Sequence, residues 1–372
     1  MPSTRLVALW SLAFVILLGS SVRGDGELAT SVDRWTFGSG YTLRGQSPDN
    51  SAGMFQSRSF AVTSLLSEDD GQAADECCEP SCGACDSCCC DPAGGWRDNM
   101  SLFFAADGWK NKGDDSDNNN FGFRPGLNTS FALGDRPVRG QVGLSLGIYD
   151  FFGREGRLPR NTETQCFITA GLYRRSNVAC GERVSWAAVW DQMLSNNWGE
   201  DADNISLSQV RLLGAYALNE SNELGVWASI HTSRDLAARL GNPGPTRVRA
   251  MNQVNLFWHH NWARGADTTA YIGIAENPGD IVLGLSGHSP LNSRTALFGN
   301  VHYIIPSTTG GDTIPNGIGN SYAEETWNVS FGLVFYFGPK AVSRTVSGNA
   351  SVPLLPVADN GTFAVKVPVG DL

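Results

Sequence analysis

Apolar and polar residues alternate with a period of two over most of the chain between residues 99 and 337. In residues 121–134 the odd positions are mainly phenylalanine and leucine, whereas the even positions are glycine, arginine, asparagine and serine. Successive side chains of a β-strand point to opposite faces of its sheet. The pattern therefore predicts strands with one apolar face and one polar face.

Twelve such strands are predicted, and most of them are about 9 to 13 residues long, whereas strands of soluble sheets usually have about five or six residues. A tilted strand that crosses a bilayer needs about 9 to 11 residues. The lengths therefore favour membrane-spanning strands. They are predicted near residues 100–107, 121–134, 138–150, 164–175, 182–193, 205–219, 222–233, 251–262, 267–276, 280–288, 294–305 and 325–337.

The connections between these strands are sorted by length. Long connections follow the first, third, fifth, seventh and eleventh strands, and short ones follow the even-numbered strands; the short connection after the ninth strand is an exception. Outer-membrane barrels have short periplasmic turns, long outer loops and an even strand number. A sheet in hydrocarbon must also close, because lipid offers no partners to an open edge. The sequence thus predicts an all-β fold, an antiparallel transmembrane β-barrel of about twelve strands over residues 97–338.

The polar face of the predicted strands would line the interior of such a barrel. Both charge signs and several amides occur on it, so strong ion selectivity is not expected. A twelve-stranded lumen is intermediate between filled eight-stranded and open sixteen-stranded barrels, so it has room for a plug. The predicted pore-lining residues are Arg124, Asn128, Arg139, Gln141, Gln253, Asn255, His259, Asn300, His302 and Asn328.

Four tryptophans lie near predicted strand ends, where aromatic side chains form girdles in membrane barrels. The alternative is that they fill an ordinary core. They are Trp109, Trp198, Trp262 and Trp327.

The N-terminus has the pattern of a secretory signal peptide. Arg5 precedes an apolar run from Leu6 to Leu18, and small residues follow it. The run is shorter than the roughly 17 to 25 residues of a spanning helix. We therefore predict a signal peptide over residues 1–24 and export to a bacterial outer membrane.

A cysteine-rich, acidic segment follows over residues 25–96, and we expect it to be disordered. Seven of the nine cysteines of the chain lie between Cys77 and Cys90. Export favours disulfides, and an odd number leaves one thiol for an intermolecular disulfide with another chain. Cys82, Cys85 and Cys88 have the spacing of metal ligands, but Pro92 stands where a fourth cluster ligand would fall. Three alternatives remain open for these cysteines: disulfides, a metal site, or neither.

Composition excludes some classes of function. The formal net charge is −10, and residues 25–95 hold most of the excess acidity, with 12 acidic and 3 basic residues. An acidic balance argues against nucleic acid as a partner. Only 17% of the residues are charged, and 43 glycines and many aromatic residues accompany them, which is not the composition of a disordered protein.

The last predicted strand, from Trp327 to Phe337, carries a further motif: Ser330, Gly332, Phe335 and Phe337 follow a polar-x-Gly-x-x-aromatic-x-aromatic pattern. This pattern resembles the terminal signal of bacterial outer-membrane β-barrels, and residues 97–338 resemble the porin-type barrels of planctomycete-like bacteria. The resemblance implies that the barrel-assembly machinery reads the motif and that outer-membrane lipid surrounds the barrel. Chains of that family usually end at the terminal aromatic residue, whereas here 35 residues follow Phe337. We expect a flexible tail over residues 339–372.

One pattern suggests catalysis. His231 and Ser233 resemble the His-x-Ser of outer-membrane phospholipases, in which the histidine activates the serine as a nucleophile. However, Arg234 and Asp235 replace the asparagine and glycine that follow the serine in that family, and the alternation places the pair inside the barrel rather than on its lipid side. We therefore expect no enzymatic activity and no cofactor.

Three functions remain after these exclusions. The first is a passive pore for small polar solutes. The second is a structural envelope protein that is cross-linked through its cysteine-rich extension. The third is a soluble exported β-protein with a disulfide- or metal-bearing cysteine cluster.

Overall fold

The computed structural model describes residues 97–111, 120–133, 137–151, 162–178, 181–199, 203–237, 246–276, 280–305, 325–342 and 352–366. The predicted signal peptide, the extension over residues 25–96, and with it Cys82, Cys85 and Cys88, lie outside this part of the chain. Within the described ranges, no helix is long and apolar enough to span a bilayer.

Twelve antiparallel strands form a closed barrel, and each lies close to its predicted position. The barrel strands are β1 (Ser101–Lys110), β2 (Asn120–Ala132), β3 (Arg139–Tyr149), β4 (Glu163–Arg174), β5 (Val184–Trp198), β6 (Asp203–Ala217), β7 (Asn222–His231), β10 (Gln253–Asn261), β11 (Asp267–Ala275), β12 (Asp280–Pro290), β13 (Thr295–Ile305) and β14 (Thr326–Tyr336). Three short strands, β8 (Arg234–Ala237), β9 (Thr246–Ala250) and β15 (Val365–Lys366), complete the set.

The barrel closes where its first and last strands meet. β1 pairs with β14 from Ser101 opposite Tyr336 to Lys110 opposite Trp327. This pairing satisfies the backbone donors and acceptors of both edge strands, which an apolar solvent requires. The predicted all-β fold, its antiparallel order and its strand number are confirmed.

The two faces of the sheet differ as the alternation predicts. Large apolar side chains are exposed on the outside, among them Phe104 at 53%, Leu256 at 56% and Ile274 at 59%. The opposite face carries buried polar side chains such as Gln141 and Asn255, which are inaccessible to solvent. The barrel is therefore apolar outside and polar inside.

The two ends of the barrel also differ. The connections over 133–138, 218–221, 262–266 and 291–294 lie at one end, here called the short-turn end, together with the longer connection over 175–183. The opposite end, called the loop end, carries longer connections such as 306–325. One predicted long connection is short: β5 and β6 extend beyond their predicted bounds, so residues 199–202 join them instead of 194–204. A register shift between Ser195 and Trp198 accompanies this extension.

A C-terminal segment lies inside the barrel. We expected a flexible tail over residues 339–372, but residues 352–366, here called the luminal segment, are largely buried. At the short-turn end, Arg175 donates to the carbonyl oxygens of Val352 and Pro353 (3.1 and 2.9 Å). At the loop end, β15 pairs with β9, which itself pairs with β8. The segment thus passes through the whole lumen.

The tryptophans divide between the two faces. Trp109 and Trp198 point inward and are nearly inaccessible, packed in a core cluster that includes Phe363 of the luminal segment. For these two, the core alternative applies and the girdle prediction is wrong. Trp262 is 43% exposed, and Trp327 packs on the outside against Phe121.

Candidate functional site

The barrel interior is the candidate functional site, and all ten predicted pore-lining residues lie on its inward face. Eight of them are buried, while His259 and Asn300 are partly buried. Their side chains meet one another less than they meet the luminal segment. The ten are Arg124, Asn128, Arg139, Gln141, Gln253, Asn255, His259, Asn300, His302 and Asn328.

A buried ion pair holds the middle of the luminal segment. Arg211 on β6 binds Asp191 on β5 through two contacts of 2.5 and 2.9 Å. The same guanidinium donates to the carbonyl oxygen of Pro356 at 2.9 Å. Thr169 on β4 donates to Asp191 at 2.6 Å and accepts the Ala358 amide at 3.0 Å. Three neighbouring strands thereby hold the backbone of the segment at Pro356 and Ala358.

Two amides hold the segment at Leu355. Asn128 and Gln141 both donate to its carbonyl oxygen, at 3.0 and 3.1 Å, and its amide donates back to Gln141 at 3.3 Å. Side chains of the wall therefore replace the backbone partners that a strand or helix would supply. This satisfies a buried backbone segment that has no regular structure.

A second ionic network surrounds Asp107 on β1. Its carboxylate accepts from Tyr149 at 2.6 Å and from Asn328 at 2.9 Å, and also from Ser330. Arg124 lies 3.5 Å from Asp107 and 3.8 Å from Asp359 of the luminal segment. The network joins the closing strands of the barrel to the segment.

The remaining predicted residues divide into two groups. Gln253 donates to the carbonyl oxygen of Gly361 at 3.3 Å, and Asn300 donates to Asp359 at 2.7 Å. The other group lies on the wall: His302 contacts Tyr271 at 3.0 Å, and Arg139 and Asn255 are buried on the inward face.

A cavity of about 330 Å³ remains beside the luminal segment. The segment forms one wall from Val352 to Thr362, and inward residues of β1, β7 and β10–β14 form much of the rest. The aromatic side chains on this wall are Phe103, Trp227, Phe257, Tyr271, Phe298 and Tyr336.

Histidines and carboxylates meet near the short-turn end of this cavity. Nδ1 of His259 lies 3.4 Å from Glu223, and its Nε2 lies 3.9 Å from Asp267. His288 lies 3.6 Å from Asp267. No set of three histidine, cysteine or acidic side chains has a metal-binding arrangement within the described ranges.

The motif on β14 divides between the faces. Ser330 points inward, and a Cβ at Gly332 would overlap the backbone of Phe104 on β1, so the seam requires glycine there. Phe335 and Phe337 point outward, each 41% exposed, and pack edge to face at 5.6 Å. The motif therefore lies at the closing seam, and its recognition by the assembly machinery stays a prediction.

The suspected catalytic pair is not joined by a hydrogen bond. Nδ1 of His231 lies 2.8 Å from Asn252 and 3.0 Å from Arg249. The hydroxyl of Ser233 accepts the amide of Ser208 at 2.7 Å. His231 points inward, as the alternation predicted. His231 therefore does not act on Ser233 in this geometry, and the absence of enzymatic activity stays a prediction.

Sequence reasoning missed several interior residues and the luminal segment. Asp107, Asp191 and Arg211 are buried on β1, β5 and β6, strands on which no lining residue was predicted. The luminal segment has no period of two. One signal is the apolar composition of its first residues, from Val352 to Val357.

A family model extends over this whole arrangement. The model of DUF6666, described as a family of unknown function, matches residues 99–365. The chain belongs to the DUF6666 family. The matched range covers the barrel and the luminal segment up to Val365, and it leaves out the cysteine-rich extension.

Several solved barrels resemble this DUF6666 chain in fold. A COG4313 outer membrane channel from Pseudomonas putida F1 is 14% identical (TM-score 0.42, covering 63% of this chain and 93% of that one). The KdgM porin is 7% identical (0.37, 63% and 98%), and the outer membrane phospholipase A from Escherichia coli is 11% identical (0.36, 63% and 95%). At this identity the likeness does not extend to function. No curated protein matches the sequence significantly.

Proposed function

We propose that this DUF6666 chain is an outer-membrane barrel and a passive pore for small polar solutes, which its luminal segment closes in the state described here. The apolar outer face suits outer-membrane lipid, and strands of about ten residues match the bilayer. The polar inner face suits a path for solutes. The observation that carries the proposal is the luminal segment, because hydrogen bonds from pore-lining side chains hold it.

Displacing the segment breaks hydrogen bonds that water can replace, and it also removes buried apolar side chains such as Val357 and Phe363 from a core cluster. A neutral hydrogen bond contributes about 0.5–1.5 kcal/mol, because water takes its place when it breaks. The amides that hold Leu355 would then face an aqueous lumen. By contrast, the antiparallel pairing of the strands stays intact when the segment leaves, since only β9 pairs with it.

Conductance in a planar bilayer tests the pore. We expect the full chain to show rare openings, and the double variant Asn128→Leu with Gln141→Leu to open more often, because Leu355 loses two donors. The matched control is Val142→Leu, which faces outward beside Gln141. Equal and continuous conductance of all three would remove the closing role of the segment.

A structural envelope protein is the second candidate, and the filled lumen favours it. In this case the barrel would hold the cysteine-rich extension at the envelope, with disulfides to itself or to another chain. Absence of conductance in both the full chain and the double variant, with both proteins folded, would select this role. The barrel-assembly machinery remains the proposed partner in insertion for either role.

A further inference from the structure

We propose that the cavity beside the luminal segment binds a small, neutral, polyhydroxylated ring compound, of the size and chemistry of a simple sugar. The proposal rests on the proposed function, because it names the solute class that the interior of the pore selects. Its test measures binding rather than conduction.

The size of the cavity limits the ligand. Ligand pockets usually have volumes of about 300–1,000 Å³, so a cavity of about 330 Å³ lies at the small end. A compound of one or two rings fits this range, and a long chain does not. The wall is also composite: the luminal segment supplies one side, so the cavity exists only while the segment is in place.

The charge of the lining favours a neutral ligand. Three arginines and three carboxylates line the cavity. Each arginine is already engaged: Arg124 with Asp107 and Asp359, Arg211 with Asp191, and Arg175 with backbone carbonyl oxygens. No arginine is left to attract an anion.

The carboxylates are also matched. Asp359 accepts from Asn300 and lies near Arg124, and the other two, Glu223 and Asp267, each contact a histidine. A cation would have to displace these partners. Each arginine and each carboxylate of the lining thus has a polar partner, which a charged ligand would have to displace and a neutral ligand would not.

Aromatic side chains supply surfaces for an apolar ring face. Trp227 and Tyr271 pack edge to face at 5.6 Å, and Phe103 and Phe298 do so at 6.0 Å. Such pairs are rigid and contribute large apolar area. The carbon–hydrogen face of a sugar ring can stack on these aromatic rings, whereas a wholly polar solute has no apolar surface to cover them.

Polar groups between the aromatic pairs supply the hydrogen bonds. A hydroxyl both donates and accepts, so its site needs donors and acceptors together. Thr269, Ser286 and His259 meet this need on the cavity wall. Oδ1 of Asn300 and Nε2 of His302 have no partner among the described residues, and such buried polar atoms cost free energy when left unsatisfied.

The test is binding of a matched set of probes to the full chain in detergent. Glucose is neutral, protonated glucosamine is a cation and gluconate is an anion of similar size. Calorimetry reads the affinity, and quenching of Trp227 fluorescence reports the location, with Trp227→Phe as the reference for the other ten tryptophans. We expect saturable binding of glucose and at least tenfold weaker binding of the two charged probes.

Two pairs of variants locate the site. Ser286→Phe fills the cavity and should abolish glucose binding, while Leu285→Phe, the neighbour on the outer face, should not. Trp227→Ala should weaken binding about tenfold, while Val226→Ala should not. Unheated gel mobility confirms that each variant is folded.

Three results would overturn the proposal: no saturable binding of glucose, tighter binding of either charged probe, or unchanged binding in the folded Ser286→Phe variant. Failure here is distinguishable from failure of the pore. Conductance without glucose binding would support the pore and contradict the binding site. Glucose binding without conductance would support the binding site and contradict the pore.

Discussion

Nη2 of Arg211 donates to the carbonyl oxygen of Pro356 at 2.9 Å while the same guanidinium binds the buried carboxylate of Asp191. One side chain of the barrel wall thus joins the charge network of the strands to the backbone of the luminal segment. The stability of the barrel and the position of the segment are therefore coupled through this contact.

Replacing Arg211 tests this coupling. Arg211→Leu leaves Asp191 as an uncompensated buried charge and should destabilise the barrel by about 3–5 kcal/mol. The temperature at which the folded band on a gel converts to the unfolded band should therefore be lower for this variant. The control is Arg174→Leu, since Arg174 pairs with Glu182 at the surface, where an ion pair contributes about 0–1 kcal/mol. Equal effects of the two variants would contradict the coupling.

The outer face makes a second prediction. Leu256, in the middle of β10, and Leu291, in a turn at the short-turn end, are both 56% exposed. In a membrane, Leu256→Arg should cost about 2–4 kcal/mol near the bilayer midplane, whereas Leu291→Arg near the interface should cost about 0–1 kcal/mol. Unfolding in lipid vesicles measures both. Similar costs would indicate that water, not lipid, surrounds the barrel.

The course of the luminal segment predicts an unusual topology. β1 begins at the short-turn end, while the segment ends at the loop end, where the Val365 amide donates to Asn111 at 3.2 Å. If long loops face the cell exterior, the chain before β1 and the chain after the luminal segment leave the barrel at opposite faces of the membrane. An epitope after Leu372 should bind antibody on intact cells, and one inserted before Arg97 only after permeabilisation. Access to both epitopes on the same side would contradict this course.

The motif on β14 predicts an assembly defect. The resemblance to outer-membrane barrels implies that Phe337 is read during insertion, whereas Phe331 on the same outer face is not part of the motif. Phe337→Ala should lower the amount of heat-modifiable protein in outer membranes several-fold, and Phe331→Ala, which is comparably exposed, should change it little. Quantitative immunoblots of membrane fractions compare them. An equal loss in both variants would assign the effect to lost apolar area alone.

The strands were predictable because their signal is local. A period of two over about ten residues specifies both a strand and its faces, and Arg124, Gln141 and His302, at polar positions of this period, are buried in the structure. The extra length of β5 and β6 was not predictable, since a bulge near Trp198 interrupts the alternation there.

The luminal segment was not predictable for a different reason. Pro353 and Pro356 interrupt any strand pattern, and the partners of its backbone are side chains distant in sequence, such as Gln141 and Arg211. The same reason applies to Trp109. Its position near a strand end suggested the membrane interface, but its side chain points inward and packs in a core cluster with Phe363 of the luminal segment.

The most direct test of a barrel closed by its own C-terminus is the permeability of proteoliposomes to small sugars. Swelling rates are compared for the full chain and for a chain that ends at residue 351, with gel mobility as the check that both barrels are closed and folded. We predict slow swelling with the full chain and markedly faster swelling with the shortened one. Equal rates in two folded proteins would contradict the account.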